Sequence, residues 1–228
     1  MQRWLLPFAN ELAVSIEPLQ YPGYESEVSN GNWDVYRLIE SWSPQIDKNT
    51  LVIGWSLGGM LALLLAQRVS CGAVVTLASN VCFQGNNNWQ MPTSQFDSFL
   101  KRFKRFPEKT NLSFWQLQVS GAKQPERLVA LLEQYHQQFD ADQTSLVDSL
   151  MLLGSLDVQS ASLSCPHLSL FASADALVPI SALEEMKTRF PNVMVRSVDG
   201  CHLIGEHPKT FDEIKTWLFS ISNQKGNS

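Results

Sequence analysis

The stretch Leu51-Val52-Ile53-Gly54-Trp55-Ser56-Leu57-Gly58-Gly59 constrains this chain more than any other, because Met60-Leu61-Ala62-Leu63-Leu64-Leu65-Ala66 follows it without a break. An apolar run of strand length ends in Gly-x-Ser-x-Gly and passes directly into a helix-forming apolar segment. That order predicts a sharp strand-to-helix turn with Ser56 exposed at its tip. The turn is sterically demanding, and the glycines on either side, Gly54 and Gly58, remove Cβ atoms that would stop neighbouring backbone from approaching. The amide of Leu57 opens the helix and is expected to point, with the positive end of the helix dipole, toward an anion forming beside the serine. Ser56 is therefore the candidate nucleophile and Leu57 the candidate oxyanion donor.

A serine hydroxyl is a weak nucleophile at neutral pH and needs a base within hydrogen-bond reach, itself oriented by a carboxylate. With this kind of turn the partners follow in the order serine, acid, histidine. The chain has four histidines. His136 lies in a polar helical block, and His167 opens a strand at the wrong place in that order. His202, in the loop Asp199-Gly200-Cys201-His202 after a strand, is the best base; His207 precedes Pro208 at a helix start and suits capping. Asp175, in Ser173-Ala174-Asp175-Ala176-Leu177-Val178-Pro179 after another strand, is the favoured acid, since catalytic groups gather at strand C-terminal ends in open α/β sheets. Asp199 is the rival acid, and capping of the next helix is the structural alternative for Asp175.

Strand and helix signals alternate around these residues. Leu12–Leu19 reads as a strand, Tyr21–Tyr24 as a turn, Trp33–Trp42 as a helix and Ala73–Ala78 as a fully apolar strand. From about Phe83 to Gln159 the chain turns helical and more polar with no convincing strand; alternation resumes at His167–Ala172, Leu183–Phe190 and Val193–Val198, and ends in a helix over Thr210–Ile221. The expected fold is α/β, a mostly parallel sheet with helices on both faces. Residues 1–82 and 160–228 are expected to form its core, and 83–159 a helical lid inserted over the site.

Composition narrows the function classes. The chain has 228 residues, is 44% hydrophobic and carries a net charge of -5, enough for one sizeable core and unsuited to general nucleic-acid binding. Neither a signal peptide nor an apolar run of about 18 residues is visible, so a cytoplasmic protein without a membrane span is expected. Cys71, Cys82, Cys165 and Cys201 lack paired spacing, which predicts neither a metal site nor a disulfide framework. Positive charge concentrates instead at Lys101, Arg102, Lys104 and Arg105, with Lys109, Lys123 and Arg127 beyond. Such a cluster would steer an acidic partner, or is a solvated helix face.

Gly54-Trp55-Ser56-Leu57-Gly58-Gly59, the Ser173–Pro179 segment, and His202 with Glu206 and Pro208 resemble the α/β-hydrolase superfamily. Within it the chain resembles the carrier-protein methyl ester esterases of biotin synthesis, through Trp55, the stretch Val75–Phe83 with Trp89, and Phe114-Trp115-Gln116-Leu117-Gln118. The resemblance implies a serine carboxylesterase that needs no cofactor, with Ser56, His202 and Asp175 as triad and Leu57 at the oxyanion. It implies acyl-carrier protein as partner, with Trp55, Phe114 and Gln118 at the acyl chain and the lid arginines Arg102, Arg105 and Arg127 as docking candidates. Phe114 and Gln118 share a helix face by spacing. A monomer is expected.

The chain departs from that pattern in one respect: it contains no His-Gly dipeptide, the loop that supplies a second oxyanion amide in such enzymes. The strand beside the elbow strand is also missing. Either the sequence starts late, which is the favoured expectation, or the loop has been lost, and losing one oxyanion donor typically costs about a hundred- to a thousand-fold in rate. A small-acyl esterase or lactonase, and a catalytically weakened binding protein of the same fold, are the alternatives.

Overall fold

The computed structural model describes residues 2–22, 33–138 and 143–225. Four parallel strands form its sheet: β1 (Leu51–Trp55), β2 (Ala73–Leu77), β5 (His167–Ala172) and β6 (Val193–Val198), in the order β1-β2-β5-β6. β1 and β2 run in register from Leu51 opposite Ala73 to Trp55 opposite Leu77. The central strands β2 and β5 are buried at every position, which is why both are mostly apolar, interrupted at Thr76, His167 and Ser169. The outer strands β1 and β6 are only partly buried.

Helices cover both faces. On one, α1 (Gln2–Leu12) and α9 (Lys209–Lys225) send Leu5, Phe8, Ile214 and Trp217 against Val75, Leu77, Leu168 and Leu170. On the other, α2 (Val35–Trp42), α3 (Leu57–Arg68) and α8 (Ala182–Arg189) pack Ile39, Trp42, Leu61, Leu65 and Met186 against Val52, Val74 and Phe171. Helix α3 is apolar almost all round because β1, β2 and α2 surround it.

Between β2 and β5 lie a pair of two-residue strands, β3 (Gln84–Gly85) and β4 (Met91–Pro92), then α4 (Thr93–Arg105), α5 (Pro107–Val119), α6 (Pro125–Gln138) and α7 (Gln143–Ser155). Four helices thus occupy the described part of 83–159, and the β3–β4 pair is too short for sequence periodicity to reveal. Arg189 of α8 fastens the end of this stretch, donating to the Val158 carbonyl at 2.9 Å and pairing with Glu185 at 2.7 Å and with Asp157. Among the described residues no helix is long and apolar enough to cross a membrane.

The strand expected over Leu12–Leu19 is not formed. Leu12 ends α1, and 14–20 carries no regular structure. An alternating pattern becomes a strand only when a neighbour takes up its backbone groups, and among the described residues none runs beside this segment. The carbonyl of Gln20 is met instead by the indole N–H of Trp42 at 3.1 Å. For the same reason β1, which carries the elbow, is an edge strand among the described residues, paired there only with β2. The turn expected at Tyr21–Tyr24 lies partly outside the described residues. Helix α1 was legible but unread: Trp4, Leu5, Phe8, Ala9 and Leu12 fall on one helical face.

Candidate active site

Each site element sits at the C-terminal end of a parallel strand. Ser56 follows β1 with φ 54° and ψ -122°, in the positive-φ region that a non-glycine residue occupies only under strain. Its geometry is fixed from both sides: the Ser56 N–H donates to the Leu77 carbonyl at 2.9 Å, and the Ser56 carbonyl accepts from Gly59 N–H at 2.9 Å. Leu57 is the first residue of α3, so its amide belongs to the helix end whose N–H groups have no intrahelical acceptor.

The two glycines of the motif serve different contacts. A Cβ on Gly54 would lie 2.1 Å from the Gly58 carbonyl oxygen, so its absence lets β1 and α3 meet backbone to backbone. At Gly58 the nearest atom would be the Tyr21 hydroxyl at 3.2 Å. Gly59 admits Ser79, the residue that follows the strained Ala78 after β2.

Ser56, His202 and Asp175 converge. His202 Nε2 lies 3.0 Å from Ser56 Oγ, and His202 Nδ1 lies 2.8 Å from Asp175 Oδ2. A neutral imidazole with its proton on Nδ1 satisfies both contacts, donating to the carboxylate and accepting from the hydroxyl. The other Asp175 oxygen accepts from the N–H groups of Leu177 at 2.8 Å and Val178 at 2.9 Å. Asp175 thus does both things considered for it: it stabilises the following turn and it meets the histidine. The His202 and Asp175 side chains are 1% and 0% exposed, so the pair is screened from water and its hydrogen bond is strengthened.

The rival residues are excluded by placement. Asp199 is exposed and faces Ser173 Oγ at 3.5 Å. His207 Nδ1 accepts from the Lys209 N–H at 3.3 Å at the start of α9, a capping contact. His167 is buried within the sheet, its pKa pushed down to about 3 by that burial. Cys201 is buried, and burial pushes its thiol pKa up, away from thiolate chemistry. The side chain of His136 lies outside the described residues.

Helices α5 and α6 close against the loops that carry the acid and the histidine. Val119 and Leu132 share a buried cluster with Trp4, Cys201 and Leu203, and Gly121, at φ +86°, packs so closely on Ala174 that a Cβ would come within 2.6 Å of its Cβ. Gln118 is buried with its Oε1 lacking a hydrogen-bond partner among the described residues, while Phe114 rests against Phe99 with ring centroids 5.5 Å apart. The indole of Trp55 donates to the His202 carbonyl at 2.8 Å. Trp4 packs edge-on to Trp55 at 5.3 Å, lies on Gly205, and donates its indole N–H to Glu206; Trp4 is a site neighbour that sequence reasoning did not single out, while Glu206 entered it only through the resemblance.

Arg102, Arg105 and Arg127 divide between helices. Arg102 and Arg105 are exposed on α4, Arg105 stacking over Phe106 at 5.1 Å. Arg127, on α6, borders a groove of about 460 Å³ shared with Tyr135 and Glu206, which places it beside the His202 loop.

The family model described as the alpha/beta hydrolase fold matches residues 44–206. The chain belongs to that family. Among curated relatives of this hydrolase-fold chain, a pimeloyl-[acyl-carrier protein] methyl ester esterase of Aliivibrio fischeri is 27% identical over 218 residues, covering 89% of this chain and 82% of the relative. The biotin biosynthesis bifunctional protein BioHC of Cellvibrio japonicus is 32% identical over 181 residues, covering 76% of this chain but 36% of that longer protein. An esterase from Exiguobacterium antarcticum superposes with a TM-score of 0.71 at 15% identity, over 97% of this chain and 86% of the esterase, a likeness of fold.

Proposed function

We propose that this chain is a serine carboxylesterase that hydrolyses the methyl ester of a pimeloyl chain held on acyl-carrier protein. The observation that carries the reading is the unbroken relay from Ser56 Oγ through His202 to Asp175, at 3.0 and 2.8 Å. The substrate class is supported by similarity to proteins named for that reaction.

In this mechanism Ser56 Oγ attacks the ester carbonyl carbon while His202 Nε2 takes the hydroxyl proton. The carbonyl oxygen becomes an oxyanion beside the Leu57 amide. Collapse breaks the C–O bond to the methoxy group, which leaves as methanol with the proton from His202. Water, deprotonated by the same nitrogen, then attacks the acyl-enzyme; the free carboxylate departs and Ser56 recovers its proton. Asp175 holds the imidazole tautomer and stabilises the imidazolium in both halves. No metal or organic cofactor enters any step.

Residues 83–159 act as the lid, with Phe114 and Gln118 lining the acyl chain's path. The partly buried Phe114 ring, held against Phe99 at 5.5 Å, supports this by offering an apolar wall. Exposed Arg102 and Arg105 on α4, with Arg127 on α6, would meet the acidic carrier.

The test compares the parent with Ser56→Ala on p-nitrophenyl acetate and on carrier-borne pimeloyl methyl ester. Loss of both activities on substitution is expected, and equal turnover by both proteins overturns the esterase reading. A strong preference for the small ester favours a general short-acyl esterase. Replacing Arg102 and Arg105 by Glu should reduce turnover of the carrier-borne ester far more than that of the small one. Equal losses would remove the docking role.

A further inference from the structure

We infer that Trp55 is a positioning residue for His202: its indole N–H fixes the main chain of the base, so one strand end places both nucleophile and base. This rests on the esterase reading above. Trp55 and Ser56 are consecutive, the last residue of β1 and the tip of the elbow. Ser56 Oγ meets the His202 ring at 3.0 Å, while the Trp55 indole meets the His202 carbonyl at 2.8 Å. His202 is thus tied at both ends of its residue to adjacent positions of one strand.

The main chain on either side of His202 is held by other bonds, Ala174 N–H to the Gly200 carbonyl at 2.9 Å and Glu206 N–H to the Leu203 carbonyl at 3.0 Å, and the tie matters because it acts on the His202 carbonyl itself. Between β6 and the short 3-10 turn Ile204–Glu206, no main-chain N–H among the described residues donates to the His202 carbonyl. The Trp55 ring also lies 5.3 Å from the imidazole, tilted by 45°, and is itself fixed edge-on by Trp4 at 5.3 Å. Trp4 in turn bonds Glu206, at the far end of the same loop. The two indoles therefore clamp the loop before and after its midpoint. A base that shuttles a proton between Ser56 and a leaving group must keep its nitrogen within a fraction of an ångström of both, and misplacement by about 1 Å can cost on the order of a hundredfold in rate.

Trp55→Phe keeps an aromatic ring and deletes the donor. The matched control is Trp42→Phe, which deletes an indole bond to another main-chain carbonyl, that of Gln20 at 3.1 Å, away from the triad. With active sites counted by burst titration on p-nitrophenyl acetate, kcat of Trp55→Phe should fall roughly tenfold with KM nearly unchanged, and the low-field imidazole proton of His202 should broaden in the NMR spectrum. Trp42→Phe should lose comparable thermal stability yet keep both kcat and that resonance. Indistinguishable kcat and imidazole resonances in the two variants would overturn the inference.

If Trp55→Phe does not fold, the parent protein decides. Acylation-like capture of Ser56 by a phosphonate should shift the Trp55 indole proton and leave that of Trp42 in place; an unmoved Trp55 resonance counts against the tie. Should Ser56→Ala hydrolyse ester as fast as the parent, the esterase reading fails instead, and the imidazole resonance alone decides the positioning.

Discussion

Replacing Gly54 by alanine isolates the contact on which the elbow depends. The added Cβ would meet Gly58 O at 2.1 Å, Gly58 C at 2.4 Å and Gly59 Cα at 2.7 Å, all of them backbone atoms. No rotamer change relieves such overlap; α3 must move away from β1 by about 1 Å to restore ordinary van der Waals separation. Overpacking of a filled core costs typically 1–3 kcal/mol, and with backbone as the obstacle about 3 kcal/mol is the expected loss. For a domain of this size each kcal/mol lowers Tm by roughly 2–4 °C, so thermal denaturation should show a drop of roughly 6–12 °C. Ser56, at the junction that moves, should lose on the order of a hundredfold in kcat/KM on a small ester.

Gly58→Ala is the internal control. Among the described residues its Cβ would meet the Tyr21 hydroxyl at 3.2 Å, a side-chain atom rather than backbone, so a displacement of a few tenths of an ångström suffices. Alanine also gains up to about 1 kcal/mol of helix propensity over glycine in α3, so the two effects nearly cancel in stability. A Gly54→Ala protein that melts and turns over like the parent, or a Gly58→Ala protein destabilised more than Gly54→Ala, would refute the argument from backbone approach.

Asp175→Asn should preserve the fold while lowering kcat about ten-thousandfold, because the amide presents the wrong partner to His202 Nδ1; steady-state kinetics with circular dichroism as the folding check would show it. Burial pushes the pKa of His167 down from its ordinary 6.5 to about 3, so the unfolded chain takes up a proton through a range where the folded one does not. Stability is therefore complete above about pH 6.5 and falls by about 1.4 kcal/mol per unit as pH drops from there toward 3. His167→Leu, which also removes two unpartnered ring nitrogens, should flatten that slope in urea denaturation at pH 4.5 and pH 7. Cys71 and Cys165 are buried thiols with sulfurs 3.1 Å apart, and their contact together with burial raises the Cys71 pKa far above its ordinary value. Both should resist iodoacetamide in the native protein and react once it is unfolded in denaturant, as read by mass spectrometry.

The elbow was legible because everything that makes it is local: an apolar run, Gly54, Ser56, Gly58 and an apolar helix within 16 residues, Leu51 to Ala66. The fully buried strands β2 and β5 were legible for a similar reason, since burial on both faces leaves a mostly apolar signature with few polar positions. Leu12–Leu19 carries strand-like alternation too, yet forms none, because pairing depends on a neighbour that no local pattern encodes. Helix α1 went unread although its apolar face was visible, Pro7 and the short length having masked the period.

Sequence alone thus determined the residue types, their order along the chain and the strand ends on which they would ride. It left His202 beside His207 and Asp175 beside Asp199 as competitors. The choice between them fell to tertiary structure, since Ser56 and His202 are 146 positions apart and His202 and Asp175 are 27 apart. Local propensity acts over a turn or two of chain, whereas bringing those three groups within hydrogen-bond reach requires the register of the whole parallel sheet. The same packing put the Trp55 indole on the His202 carbonyl, a contact with no trace in either residue's neighbourhood along the chain.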